Sequence, residues 1–139
     1  MLAAFLVLPR ILFAADPALG TWVKNDVPIV MTIEPYGGGG WKITYHIKMG
    51  AKETLMTLES HMDGSEASVM LDGKPSGETM AIKRVDDRHT FTVLKMNGQP
   101  FGTSKCEMSA DGKTLTVQND MTAMAGNPAA KATEIWNRK

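Results

Sequence analysis

The sequence predicts an all-β fold, an antiparallel up-and-down barrel of eight to ten strands. Three observations lead there. Short runs alternate apolar and polar residues with a period of two, which is the pattern of a strand with one buried face. Asx-Gly pairs punctuate these runs at Met62-Asp63-Gly64, Asp72-Gly73-Lys74, Asn97-Gly98-Gln99 and Asp111-Gly112-Lys113, and such pairs favour tight hairpins. No stretch carries a convincing helical period, and "MTAMAGNPAAKA" is broken by Gly126 and Pro128. A sheet of this size with one apolar face has to curl or close, because open edges template aggregation.

The elements follow in order. Residues 1–15, "MLAAFLVLPRILFAA", are apolar apart from Pro9 and Arg10. They read as a secretory signal processed near Ala14-Ala15, with an uncleaved anchor or a tail as the alternative. The run is too short to span a bilayer. Residues 16–139 then form one exported domain, periplasmic or secreted, and the expected state is a monomer. "LGTWVKN" opens the first strand. "PIVMTIEP" sets Ile29, Met31 and Ile33 against Val30, Thr32 and Glu34. "WKITYHIKM" alternates most cleanly, with Trp41, Ile43, Tyr45, Ile47 and Met49 on one face. "ETLMTLESHM" sends Met56, Leu58 and Met62 one way, "ETMAIKRVDD" joins Met80 to Ile82, and "HTFTVLKM" joins Phe91 to Val93. "FGTSKCEMS", "KTLTVQNDM" and "KATEIWNRK" complete the meander.

Composition narrows the function classes. The 139 residues carry a formal net charge of zero, and the pI is about 6.8. No basic patch stands out, so nucleic acid is not an expected partner. The single cysteine, Cys106, allows no internal disulfide and reads as a small buried hydrophobe. Several charges fall in line with strand faces: Glu59 and His61 with Leu55, Arg84 with Met80 and Ile82, Lys95 with Phe91 and Val93. A solid core rejects unpaired charge. Such residues belong either at a barrel rim or in a hollow, partly wet interior.

Gly20-x-Trp22 at the head of an antiparallel meander resembles the calycins, which include the lipocalins and the fatty-acid-binding proteins. The stretch "AIKRVDDRHTFTVLKMNGQPFGTSKCEMSADGKTLTVQND" is similar to small exported bacterial lipocalin-like proteins. The resemblance covers residues 20–138. It implies that Trp22 plugs the closed end of the barrel beneath a basic residue from the last strand. Arg138 is the candidate, with Lys139 the fallback. The closing "KATEIWNRK" also resembles the strand with which fatty-acid-binding proteins hold a carboxylate by an arginine and a tyrosine. Glu134 and Trp136 stand at those positions here, and a glutamate does not receive a carboxylate unless protonated or bridged. A fatty-acid anion is therefore disfavoured.

Other chemistries find weak support. The "GGGG" run at 37–40 lacks the helix, lysine and hydroxyl of a phosphate loop. His46, His61 and His89 are scattered, although eleven methionines keep a Cu(I) site in view. Adjacent residues, or residues three apart, on a strand face opposite sides, so neither His46 with Met49 nor His61 with Met62 chelates on one ladder. No nucleophile motif is present, although Glu59, His61 and Arg84, or Glu134 with Lys95, suggest charged clusters. The expectation is a non-enzymatic barrel without cofactor or metal. It binds a small apolar or amphipathic molecule against Tyr45, Ile47, Met56, Leu58, Phe91 and Val93, with Glu134 and Trp136 at the closing strand. A partner-binding barrel without a ligand is the alternative.

Overall fold

The computed structural model describes residues 16–123, 126 and 128–139. The expected leader, residues 1–15, and part of the "MTAMAGNP" stretch lie outside the described residues. Ten strands run in chain order: β1 (Gly20–Lys24), β2 (Ile29–Tyr36), β3 (Gly40–Met49), β4 (Lys52–Ser60), β5 (Asp63–Leu71), β6 (Lys74–Asp86), β7 (His89–Met96), β8 (Gln99–Met108), β9 (Thr114–Met121) and β10 (Ala130–Arg138). Each is antiparallel to its sequence neighbours. The sheet is a closed barrel in which β1 returns to β10.

Three of the four Asx-Gly pairs lie at turns, while Asp63-Gly64 falls inside β5 and the chain reverses just before it, at His61 and Met62, with Met62 at φ 61°. Asp72-Gly73 and Asn97-Gly98 both place two successive residues at positive φ, 48° and 79° in the first, 49° and 82° in the second. This is the type I′ geometry that matches strand twist. The Asp111 turn is longer: Gly112 N–H donates to the Ser109 carbonyl at 2.9 Å, and the Asp111 carboxylate accepts from Ser109 Oγ at 2.6 Å.

Two seams differ from the rest of the ladder. β1 and β10 close the barrel through only three register pairs, Trp22 opposite Arg138, Val23 opposite Asn137 and Lys24 opposite Trp136. β4 and β5 share only two, Met56 opposite Leu71 and Thr57 opposite Met70. Near the Asp72 turn this second seam is knitted by reciprocal bonds between Leu55 and Asp72. Further down, β5 is held by β6 instead, and side chains fill the divergence: Leu58, Ser60, Met62, Ala67 and Val69 are all buried.

β5 has the weakest sequence signal. Only Ala67 and Val69 of "DGSEASVML" are buried, so the run shows two small apolar positions among serines and acids. β7 shows the opposite difficulty, with apolar residues on both faces. Here Thr90, Thr92 and Leu94 point into the barrel. Phe91 and Val93 therefore point outward, which corrects the expectation that they form ligand-binding walls. The reason is register. Met80 and Ile82 of β6 face inward, and they stand opposite Leu94 and Thr92. Side chains alternate strictly along a strand. Phe91 is left on the outer face between Lys83 and Lys105, and Val93 between Ala81 and Thr103.

Candidate functional site

One end of the barrel is sealed. The segment Asp16–Leu19 turns across it, with Leu19 N–H donating to the Asp16 carbonyl at 3.2 Å. Trp22 is fully buried and donates its indole N–H to the Ala18 carbonyl at 3.0 Å. The Arg138 guanidinium carbon lies 4.2 Å from the centre of a Trp22 ring. Its three nitrogens donate to three carbonyls: Nε to Gly112 at 2.8 Å, Nη1 to Leu19 at 2.8 Å and Nη2 to Pro17 at 2.5 Å. A second cluster backs the first. Asp16 accepts from Arg84 Nη2 at 2.6 Å and from Trp41 Nε1 at 2.7 Å, and Arg84 lies 5.4 Å from the Trp41 ring centre. Two arginine–tryptophan pairs thus clamp one turn of chain over the floor.

Above the floor the interior is hollow. A cavity of about 290 Å³ runs between the strands, at the small end of the range for ligand sites, roughly 300–1,000 Å³. Ile29, Met31, Ile33, Ile43 and Ile47 line it from β2 and β3. Met56, Met80, Ile82, Leu94, Val117 and Met121 complete the apolar wall. Polar groups are few and placed. Ser104 Oγ bonds Asn119 Oδ1 at 2.5 Å, and both border the cavity with Thr90, Thr92 and Cys106.

Three charged side chains reach the cavity toward its open end: Lys24, Glu78 and Glu134. Lys24 Nζ meets Glu134 Oε1 at 2.8 Å and lies 5.9 Å from the Trp136 ring centre. Trp136 Nε1 donates to the other carboxylate oxygen at 3.3 Å. The two charged side chains keep 22% and 28% of their surface, so water reaches this end. Glu78 has no ion pair or side-chain hydrogen bond among the described residues, and burial raises its pKa above the ordinary 4.5. Tyr45 packs its ring 5.9 Å from Trp136 at 59°. Burial first, then Glu134, Cys106 and Glu78, push its hydroxyl far above the usual phenol range.

Glu78 thereby costs stability at neutral pH. Its folded carboxyl holds a proton to a higher pH than the unfolded one. Stability therefore falls as pH climbs from about 4.5 through the raised value. Glu78→Gln should melt above the wild type at pH 7 and alongside it at pH 4. An equal difference at both pH values in thermal scans contradicts this.

The Cys106 thiol is pushed up to about 11, chiefly by burial, with Glu134 and Glu107 adding and a Thr90 hydrogen bond opposing. It is protonated at neutral pH and a weak nucleophile. Iodoacetamide at pH 8 should label it about 100-fold more slowly in the folded protein than in urea, from the lost thiolate fraction alone. Mass spectrometry over time reads this, and equal rates refute it.

The residues singled out from the sequence divide cleanly. Tyr45, Ile47, Met56, Glu134 and Trp136 line one cavity. Leu58 is 2% exposed and belongs to the packed core beside it. Phe91 and Val93 face outward. Of the in-line charges, Arg84 lies on the floor, while Lys95 pairs outside the barrel with Glu66 at 2.6 Å, not with Glu134. Glu59 and His61 are exposed and do not join Arg84. The histidines stay apart: His46 sits beside Glu53, His61 beside Tyr36, and His89 beside Asp86. Sequence reasoning missed Lys24 and Glu78. Glu78 was legible, since it stands in line with Met80, Ile82 and Arg84 at steps of two.

Fold and site together define a closed antiparallel β-barrel with a sealed floor and a mostly apolar internal cavity bearing a few charged groups. Compared with known proteins, the chain matches no family model and shows no significant similarity to a curated protein.

Proposed function

We propose that this protein is an exported, monomeric, lipocalin-like barrel that binds a small apolar or amphipathic molecule and performs no chemistry on it. The observation that carries the reading is the cavity of about 290 Å³, walled by aliphatic and methionine side chains. Natural cores are packed to crystal density with few voids, so a hollow of this size in a small domain calls for an occupant. Methionine walls adapt to irregular shapes at low cost. The protonated Cys106 and Tyr45 suit hydrogen bonding better than covalent attack. The Trp22–Arg138 pair and the uninterrupted meander support the lipocalin-like reading.

Titration with the neutral probe N-phenyl-1-naphthylamine tests this. Saturable one-to-one fluorescence enhancement is expected. Met80→Trp, which fills the cavity from β6, should abolish it while the melting transition stays cooperative. Absence of saturable binding to the wild type, or undiminished binding to the filled variant, overturns the proposal.

A further inference from the structure

We propose that the cavity selects a cationic amphiphile: an amine with an apolar tail, its ammonium held at Glu78 and the Tyr45 hydroxyl. The inference rests on the binding function proposed above and names the ligand's chemistry.

The charges inside the barrel do not balance. Lys24 is neutralised by Glu134 at 2.8 Å. Glu78 borders the same cavity and has no cation among the described residues. The interior therefore holds one more carboxylate than ammonium. An unpaired, partly buried carboxylate is unfavourable unless something pairs with it. A ligand ammonium supplies the missing charge, and a ligand carboxylate adds to the excess.

A second observation is independent of charge. The Tyr45 hydroxyl makes no side-chain hydrogen bond among the described residues, although the residue is half-buried in the barrel wall and packed against Trp136. Tyr45 lines the cavity, and among the described residues no fully buried side-chain polar atom is left without a partner, so its unbonded hydroxyl keeps accessible surface. Its oxygen offers lone pairs to a donor arriving there. An ammonium brings three N–H donors.

A third observation shows the site's preference within the molecule. Lys24 is itself an alkylammonium. Its apolar stem enters the barrel, its Nζ bonds a carboxylate, and it lies over the Trp136 ring. Aromatic faces attract cations by their quadrupole, and Tyr45 stands against Trp136. Glu78 and Tyr45 border the same cavity and offer a second carboxylate and a second aromatic side chain, with no alkylammonium between them among the described residues. The apolar tail lies along Met80 and Ile82, which follow Glu78 at steps of two toward the floor.

Octylamine, octanol and octanoate share one tail and differ in the head. Calorimetric titration of each into the folded chain at pH 7 and low salt tests the inference. Octylamine should bind about ten-fold more tightly than octanol, because the alcohol can hydrogen-bond the carboxylate but brings no charge to neutralise it, and octanoate most weakly. Glu78→Gln should erase the preference for the amine over octanol. Tyr45→Phe should weaken the amine several-fold. Equal affinity of the wild type for amine and alcohol, tighter binding of octanoate, or an undiminished amine preference in Glu78→Gln overturns the inference while the cavity function stands. Failure of all three probes while N-phenyl-1-naphthylamine binds overturns the inference alone; failure of all four overturns both. The comparison among heads in the wild type does not depend on any variant folding.

Discussion

Trp22→Ala is expected to destabilise the barrel by about 3–5 kcal/mol, the usual cost of truncating a buried aromatic. Trp22 is 0% exposed, so its whole surface is returned to a cavity or to water. The loss extends beyond the ring. The indole N–H holds the Ala18 carbonyl, and the ring face holds Arg138. Without it the Asp16–Leu19 turn keeps only its Asp16 and Arg138 tethers. The melting temperature should fall by roughly 10–20 °C for a domain of this size. An unchanged melting temperature removes Trp22 from the floor. Trp22→Phe should recover part of the loss, since it restores apolar bulk but not the donor.

Arg138→Ala is expected to cost about 2–4 kcal/mol, combining lost cation–π attraction with lost charge-assisted hydrogen bonds. The site is partly exposed, which keeps the figure below that of a fully buried charge. Three carbonyls from two separate segments lose their donor at once. Arg138→Lys should recover the smaller share, because an ammonium lacks the planar fork that reaches three acceptors. Denaturant melts of Trp22→Ala, Arg138→Ala and the double variant form a cycle. The two losses should be less than additive, because each residue's contribution depends on the other. Strict additivity rejects a direct interaction between them.

The architecture was legible in the sequence wherever one face of a strand dominates. β3 sets Trp41, Ile43, Tyr45 and Ile47 against Lys42, Thr44 and Lys48, and the structure places those four apolar residues along the cavity. Asp72-Gly73 and Asn97-Gly98 marked where the chain turns because a positive φ at successive residues is costly for other side chains, whereas Asp63-Gly64 marked a position already inside β5. β7 was ambiguous for a physical reason. Phe91 and Val93 are bulkier than Thr90 and Thr92, yet a hollow interior accepts hydroxyls that a packed core would reject. Its face is decided by pairing with β6, which is information from another part of the chain. Lys24 was illegible for a similar reason. Its meaning depends on Glu134, which lies 110 positions away.

The floor brings the two ends of the domain together. Arg138 reaches Leu19 across 119 positions of sequence and Pro17 across 121, and β1 has no partner but β2 until β10 exists. Joining ends so far apart costs little extra free energy, since loop-closure entropy grows only with the logarithm of length. Its effect is on time. Contacts of such range form late, and proteins that depend on them fold slowly. The first strand must wait for the last. A chain emerging from a ribosome would remain an open, unsealed sheet until its final residues were free.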